Sequence, residues 1–315
     1  MGGAVHGGTF EFPAWAGPLL DLVDALDEAT EGGIDPCVGE DLIRLGYGAD
    51  LSFRVEPDAA RRLGSLHGRP TWRRDVRRDG VTLRTRGPVH LDFGCCGKGH
   101  VVDLLVRAVL EADGEQGASG ASGRVLLVDA GGDIRVRTPE PRRAPRHVPG
   151  TADDPGPGTA PRDGSVAGAA ATLGTAASIP AAPITVALED PHDESLAVGV
   201  AEPSAGSLCA SAPSRRHWTD AAHHRLHHLL DAASGLPVEE TAATWTAVEE
   251  TASPIPTAVA DGLATALFVS DPGRLAERWG RATDGSIPFS CLVLRADGRA
   301  VMGGDFPGRL FLRRA

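Results

Sequence analysis

The sequence predicts an α+β fold, a mixed sheet with packed helices, on three observations. Helical periodicity recurs in separate places along the chain. Short apolar runs of strand length alternate with it. A long stretch rich in Pro, Gly and Ala has no apolar period and interrupts what otherwise reads as one core. In chain order, Leu19, Leu22, Val23 and Leu26 share a helix face over residues 18–28, which Gly32 and Gly33 end. Residues 89–93 read as a strand and 94–99 as a tight glycine turn. Val101, Leu104, Leu105, Ala108 and Val109 form the apolar face of a second helix. Residues 124–128 read as a buried strand, 130–132 as a turn and 134–136 as another strand. Residues 137–180 read as a disordered insertion. A strand resumes at 184–188, and 221–230 form a histidine-rich helix or strand. Residues 258–269 are a helix capped at or just before Thr257. Residues 290–294 and 300–302 flank Ala296-Asp297-Gly298-Arg299 as a hairpin. No internal repeat is present, and residues 1–315 read as one domain.

Composition narrows the function classes. The 315 residues carry 31 basic and 42 acidic side chains, a formal charge of −11, which argues against a general nucleic-acid binder. No run of 18 apolar residues exists, so no membrane span is expected. The first six residues have neither a basic nor an apolar signal region, so the sequence as it stands reads as cytoplasmic. Five scattered cysteines without a CxxC motif fit a reducing compartment rather than a disulfide scaffold or a cysteine-rich zinc site.

Lys98 is the only lysine in a chain whose other basic side chains are all arginine or histidine. Arginine is a planar fork, whereas lysine is a compact, rotatable point charge. Its place is suggestive: Leu91-Asp-Phe-Gly-Cys-Cys-Gly-Lys98-Gly-His-Val-Val-Asp103 runs from a strand through a glycine turn into a helix. Free N–H groups and the positive end of the helix dipole make such a turn an anion site. Asp92 and Asp103 fit a part in that anion site, or equally turn capping and a solvated helix face. In Asp129-Ala-Gly131-Gly132-Asp133-Ile134 the two glycines allow either a hairpin turn or close approach of a flat ligand. Asp261 and Thr265, four apart, share a helix face and offer two oxygens to a hard cation such as Mg²⁺, or Asp261 is simply a helix N-terminal charge. His217, His223, His224, His227 and His228 contain i,i+4 pairs. These fit zinc, a solvated helix, or one catalytic histidine.

In order, Asp92-x-Gly94-x-x-Gly97-Lys98-Gly99-x-x-x-Asp103, Gly131-Gly132-Asp133-Ile134, His228-Leu-Leu-Asp231-x-x-Ser-Gly235-x-Pro237 and Ala260-Asp261-Gly-Leu-Ala264-Thr265 resemble the ApbE family, the FAD:protein FMN transferases. Gly33-Ile-Asp35-Pro36 resembles that family's opening motif. The likeness spans about 15–315 without the insertion. It implies a T-fold-like α+β fold that binds FAD and Mg²⁺. It also implies a reaction in which FMN moves from FAD to a Thr or Ser hydroxyl of an acceptor flavoprotein, releasing AMP. The resemblance further implies a cation held by Asp261 and Thr265 with main-chain oxygens of Gly97 and Ala264. Lys98 would face the pyrophosphate, and Gly131, Gly132 and Asp133 the flavin. Ser211 would lie near the ligand, Asp92, Gly94, Asp103 and Asp231 in the cofactor-binding motifs, and His228 would activate the acceptor hydroxyl at a pKa near its ordinary value. Cys95, Gly97, His100, Ala212 and Ala232 depart from the family pattern. The family also implies a further strand and helix before residue 18, where an export signal could precede them. Rival readings are an FAD pyrophosphatase yielding FMN and AMP, and a degenerate, non-catalytic flavin binder.

Overall fold

The computed structural model describes residues 6–115, 125–137 and 184–311. The expected insertion lies outside them, apart from Arg137. Strand β1 (Gly8–Glu11) precedes helices α1 (Gly17–Ala29), α2 (Gly39–Arg44) and α3 (Trp72–Asp75). Then come β2 (Val76–Asp79), β3 (Thr82–Thr85), α4 (Gly97–Glu115), β4 (Leu126–Asp129), β5 (Asp133–Arg137), β6 (Val186–Asp190), β7 (Asp193–Ala201) and β8 (Gly206–Ser211). Two short hairpins follow, β9 (His217–Thr219) with β10 (Arg225–His227) and β11 (Leu230–Asp231) with β12 (Leu236–Pro237). The described chain closes with β13 (Thr241–Glu249), α5 (Pro256–Val269), α6 (Pro272–Ala282), β14 (Ser290–Arg295), β15 (Ala300–Gly303) and β16 (Gly308–Leu310).

The centre is a six-stranded antiparallel sheet in the order β15-β14-β13-β8-β5-β4. Alternation along its strands explains why it is buried on both faces. Cys209, Val248, Cys291 and Val293 point to one side and join Leu26 of α1, Leu263 and Leu267 of α5 and Leu275 of α6 in one apolar cluster. Leu208, Trp245, Leu292 and Leu294 point to the other side and meet Leu188 of β6 and Ala201 of β7. Those two strands belong to a three-stranded sheet, β16-β7-β6, laid on the second face. Fully burying a leucine contributes about 1.5–3 kcal/mol, so the sheet draws stability from both sides.

One segment differs from the sequence expectation, and a second takes the strand rather than the helix alternative. Residues 89–93 form no ladder. Val89, Leu91 and Phe93 instead pack on the helical cluster, and the Asp92 N–H donates to the Pro36 carbonyl at 2.8 Å. The period of a five-residue apolar run does not distinguish the two arrangements. Residues 221–230 are not a helix: β9 and β10 pair antiparallel, with the turn passing through His223 at φ 65°. The i,i+4 histidine pairs therefore share no helix face, and the zinc reading loses its geometry. No three His, Cys, Asp or Glu side chains among the described residues gather to hold a metal. No described helix is long and apolar enough to cross a membrane.

Helices α4 and α5 meet at their N-terminal ends, which sets the geometry of the site. A Cβ on Gly99 would fall 2.4 Å from the Thr257 carbonyl oxygen, so only glycine allows this approach. Asp103, one turn along α4, caps α5: its carboxylate accepts from Thr257 N at 3.2 Å, Thr257 Oγ1 at 2.6 Å and Ala258 N at 2.9 Å. We expect Gly99→Ala to force the helices apart and cost about 1–3 kcal/mol of stability. Urea unfolding checks this, and an unchanged midpoint would contradict the close approach.

Candidate active site

A cleft of about 680 Å³ opens where the starts of α4 and β5, the end of β8 and one face of α5 converge. Asp92, Gly94, Lys98, Gly131, Gly132, Ser211, His228, Asp261 and Thr265 all line it. Motifs far apart in sequence are thus brought together.

Lys98 is the pivot. Its Nζ donates to Asp133 and, at 3.2 Å, to Asp261 Oδ1. Asp261 Oδ2 accepts from the Gly99 N–H at 3.1 Å, a free donor of the first turn of α4. Both carboxylates are almost wholly buried. Burial, then repulsion from Asp133, pushes the Asp261 carboxyl up to about 7, against the pull of Lys98. Burial likewise raises Asp133. Burial opposes the charge on Lys98, but Asp261 and Asp133 outweigh it and its pKa rises. Two buried carboxylates share one ammonium. The group is short of positive charge.

Thr265 sits one turn after Asp261. Its hydroxyl lies 3.4 Å from Ser211 Oγ and 3.4 Å from the Cys95 carbonyl oxygen. Hydroxyl, carboxylate and carbonyl oxygens are the donors a hard divalent cation takes, so this corner fits Mg²⁺ chemically. The nearby carbonyl is that of Cys95, which the sequence flagged only as a departure from a pattern. Gly97 opens α4 and does not line the cleft. Ala264 is buried inside α5, and its carbonyl accepts from Thr244 Oγ1 at 2.7 Å.

Three expected ligand residues have other partners. Asp103 is occupied in capping α5. Asp133 lies behind Lys98 rather than on the cleft wall. Asp231 accepts from Ala233 N, Ser234 N and Ser234 Oγ, closing its own turn. The Gly131–Gly132 turn, at φ 69° and 101°, is closed by Asp129, whose Oδ1 accepts from the Gly132 N–H at 3.1 Å. His100, the third departure, is buried and stacks on Trp15 with ring centroids 6.0 Å apart, away from the cleft lining.

Other residues of the cleft carried no sequence signal. Tyr47 stacks on Trp218 at 5.3 Å and reaches His228 at 6.1 Å. Arg215 forms an ion pair with Glu189 of β6, and both line the cleft. Asp35 and Asp41 flank the fully buried Arg69, and Arg69 Nη2 donates to the Ala232 carbonyl at 2.7 Å. This clamp ties the segment around Asp35 to the turn after His228. Only the Asp35 motif among these was visible in the sequence.

His228 Nδ1 lies 3.4 Å from the Arg216 carbonyl oxygen. Burial first, then the charges of Arg216, His227 and Lys98, lowers its pKa from 6.5 to about 4. Its buried neighbour His227 also falls to about 4, again chiefly through burial. At neutral pH both rings are uncharged and able to accept a proton. The expectation of an ordinary histidine pKa is therefore corrected. The folded chain binds these protons less tightly than the unfolded chain, so their contribution to stability is whole above about 6.5. It is lost as pH falls towards 4. We expect the His228 ring resonances to titrate near pH 4 by NMR, and the thermal midpoint to fall below pH 6. A ring midpoint near 6.5 would contradict the burial.

The ApbE family profile matches residues 165–285, a segment that includes Ser211, His228, Asp261 and Thr265. No curated protein matches the chain in sequence. Among solved structures, the ApbE protein of Thermotoga maritima superposes with a TM-score of 0.64 at 19% identity, covering 94% of this chain and 78% of that one. The flavin transferase ApbE of Vibrio cholerae gives 0.57 at 20% identity, over 96% and 79% of the two chains. The apo form of the flavinyl transferase ApbE of Pseudomonas stutzeri gives 0.57 at 20%, over 95% and 75%. At these identities the likeness to the solved structures is one of fold.

Proposed function

We propose that the chain is an ApbE-family protein and, on that premise, a Mg²⁺-dependent FAD:protein FMN transferase. The observation that carries this reading is the Lys98 ammonium between Asp133 and Asp261, in a cleft that also presents Thr265, Ser211 and His228. Pyrophosphate cleavage depends on charge neutralisation and in-line positioning more than on covalent help from the protein.

In this reading FAD lies in the cleft with its pyrophosphate over Lys98 and the Asp92–Gly97 turn. Asp261 and Thr265, with the Cys95 carbonyl, would hold Mg²⁺; Gly97 lies outside the cleft lining, and the Ala264 carbonyl is taken by Thr244. When bound, the cation supplies the positive charge that the two buried carboxylates lack and neutralises phosphate oxygens. Lys98 keeps its ammonium at neutral pH and offers it to a phosphate oxygen. His228, neutral at that pH, takes the proton from a Thr or Ser hydroxyl of an acceptor flavoprotein as that oxygen attacks the FMN phosphorus. The bond to the AMP oxygen breaks, and AMP leaves. A positioned base of this kind contributes typically about 10²–10⁴-fold. The Gly131–Gly132 turn leaves room for the flat flavin ring, and Tyr47 offers it a face. Asp103 and Asp231 act by holding helix and turn in place.

AMP release from FAD, with and without Mg²⁺, tests the reading, with covalent flavin fluorescence on an acceptor as the second readout. We expect Asp261→Ala to lose about 10²–10³-fold in Mg²⁺-dependent AMP release while circular dichroism shows an intact fold. Full activity in that variant would remove the cation corner from the account. Free FMN without a labelled acceptor would mark transfer to water instead.

A further inference from the structure

Strand β6 is an outer strand of its sheet and also a wall of the cleft: Val186, Ala187, Glu189 and Pro191 line it. The register shows which of its backbone groups are free. The Glu202 N–H donates to the Pro307 carbonyl at 2.7 Å, and the Phe311 N–H to the Val198 carbonyl at 2.8 Å. Even-numbered residues of β7 therefore bond to the β16 side. Odd-numbered ones bond to β6, where Ala201 faces Val186 and Gly199 faces Leu188. Backbone groups alternate sides along a strand. Ala187, opposite Val200, thus aims its N–H and C=O at the open edge. Side chains follow: Val186 and Leu188 turn to the core, whereas Thr185 and Ala187 are exposed. Among the described residues no strand pairs with this edge. A bulge at Leu188/Glu189 ends the regular ladder. Just past Ala187 stand Glu189 and Arg215, one charge of each sign.

The geometry points to an acceptor-docking edge: an extended segment of the acceptor polypeptide adds to β6 as a further strand, and so carries its Thr or Ser hydroxyl along the wall towards Lys98 and His228. This rests on the transferase reading. An open edge invites a strand because donor and acceptor recur at the spacing of a peptide backbone. The exposed side chains at Thr185 and Ala187 are small, so a neighbouring strand meets no bulk. Glu189 and Arg215 would read a charged residue on the incoming segment, each released from the other as it does so.

The probe is a pool of decapeptides with Thr fixed at the centre, incubated with the full chain, FAD and Mg²⁺ and read by mass for covalent FMN. The best peptide is then remade with N-methyl groups at alternate residues. Ala187→Pro removes the outward N–H but leaves the ladder, which Val186 and Leu188 carry; proline is tolerated at such edge positions. We expect Ala187→Pro to raise the KM for the peptide about tenfold or more. FAD affinity and AMP release to water should change far less than the peptide KM, and Ala187→Ser should behave as the parent chain. One N-methylation frame should block labelling and the other should not. Parent-like labelling by Ala187→Pro would overturn the proposal. Equal loss of FAD affinity would overturn it too, by assigning the edge to the nucleotide. A parent dimer made monomeric by Ala187→Pro would also overturn it, by assigning the edge to a second copy. A parent chain that neither binds FAD nor releases AMP would instead overturn the transferase reading beneath it.

Discussion

The ammonium of Lys98 between two buried carboxylates is the interaction on which the site depends. Removing carboxylates from water is costly unless their charge is met by partners. Asp133 and Asp261 arrive from opposite directions, one from the start of β5 and one from α5, and meet only at Lys98. The glycines around the lysine make this possible. Gly99 lets α4 lie against the backbone of α5, and the Gly131–Gly132 turn delivers Asp133 beneath the ammonium. Arginine, although common elsewhere in the chain, would bring a planar fork into a space filled by a point charge.

The same arrangement leaves the cleft electrostatically uneven. Its inner end buries two carboxylates beside one ammonium, and burial first, then repulsion from Asp133, raises the Asp261 pKa. A bound divalent cation would offset the second carboxylate. At the outer end Arg215 and Glu189 pair in partial exposure, where an ion pair contributes little to stability and is readily exchanged. His228 lies between these regions, kept neutral by burial. A cleft built in this way holds its charges buried at one end and exposed at the other.

Much of this was legible in the sequence, and the reasons differ by residue. Lys98 stood out because every comparable position had become arginine. Asp261 and Thr265 could be paired because a helix places i and i+4 together. Helix α1 and the β14–β15 hairpin followed from period and turn residues. The Lys98–Asp133 pair could not be read: 35 residues separate them, and no local rule joins a helix start to a strand start. Asp103 looked like a ligand because it belongs to the Lys98 motif, yet its carboxylate serves Thr257 and Ala258, over 150 residues away. The histidine cluster misled because i,i+4 spacing carries meaning only on a helix, and a β-hairpin had the stronger claim there. The open edge of β6 was invisible for the same reason: it depends on which side of β7 each partner takes.

Lys98 is held as an ammonium between Asp133 and Asp261. Because it is the only lysine of the chain, ¹⁵N-lysine labelling yields a single side-chain nitrogen signal. We expect one ordered, slowly exchanging ammonium resonance that titrates above the ordinary lysine value of 10.5 and shifts on Asp133→Asn. A signal that exchanges rapidly, titrates at the ordinary value and ignores that substitution would contradict it.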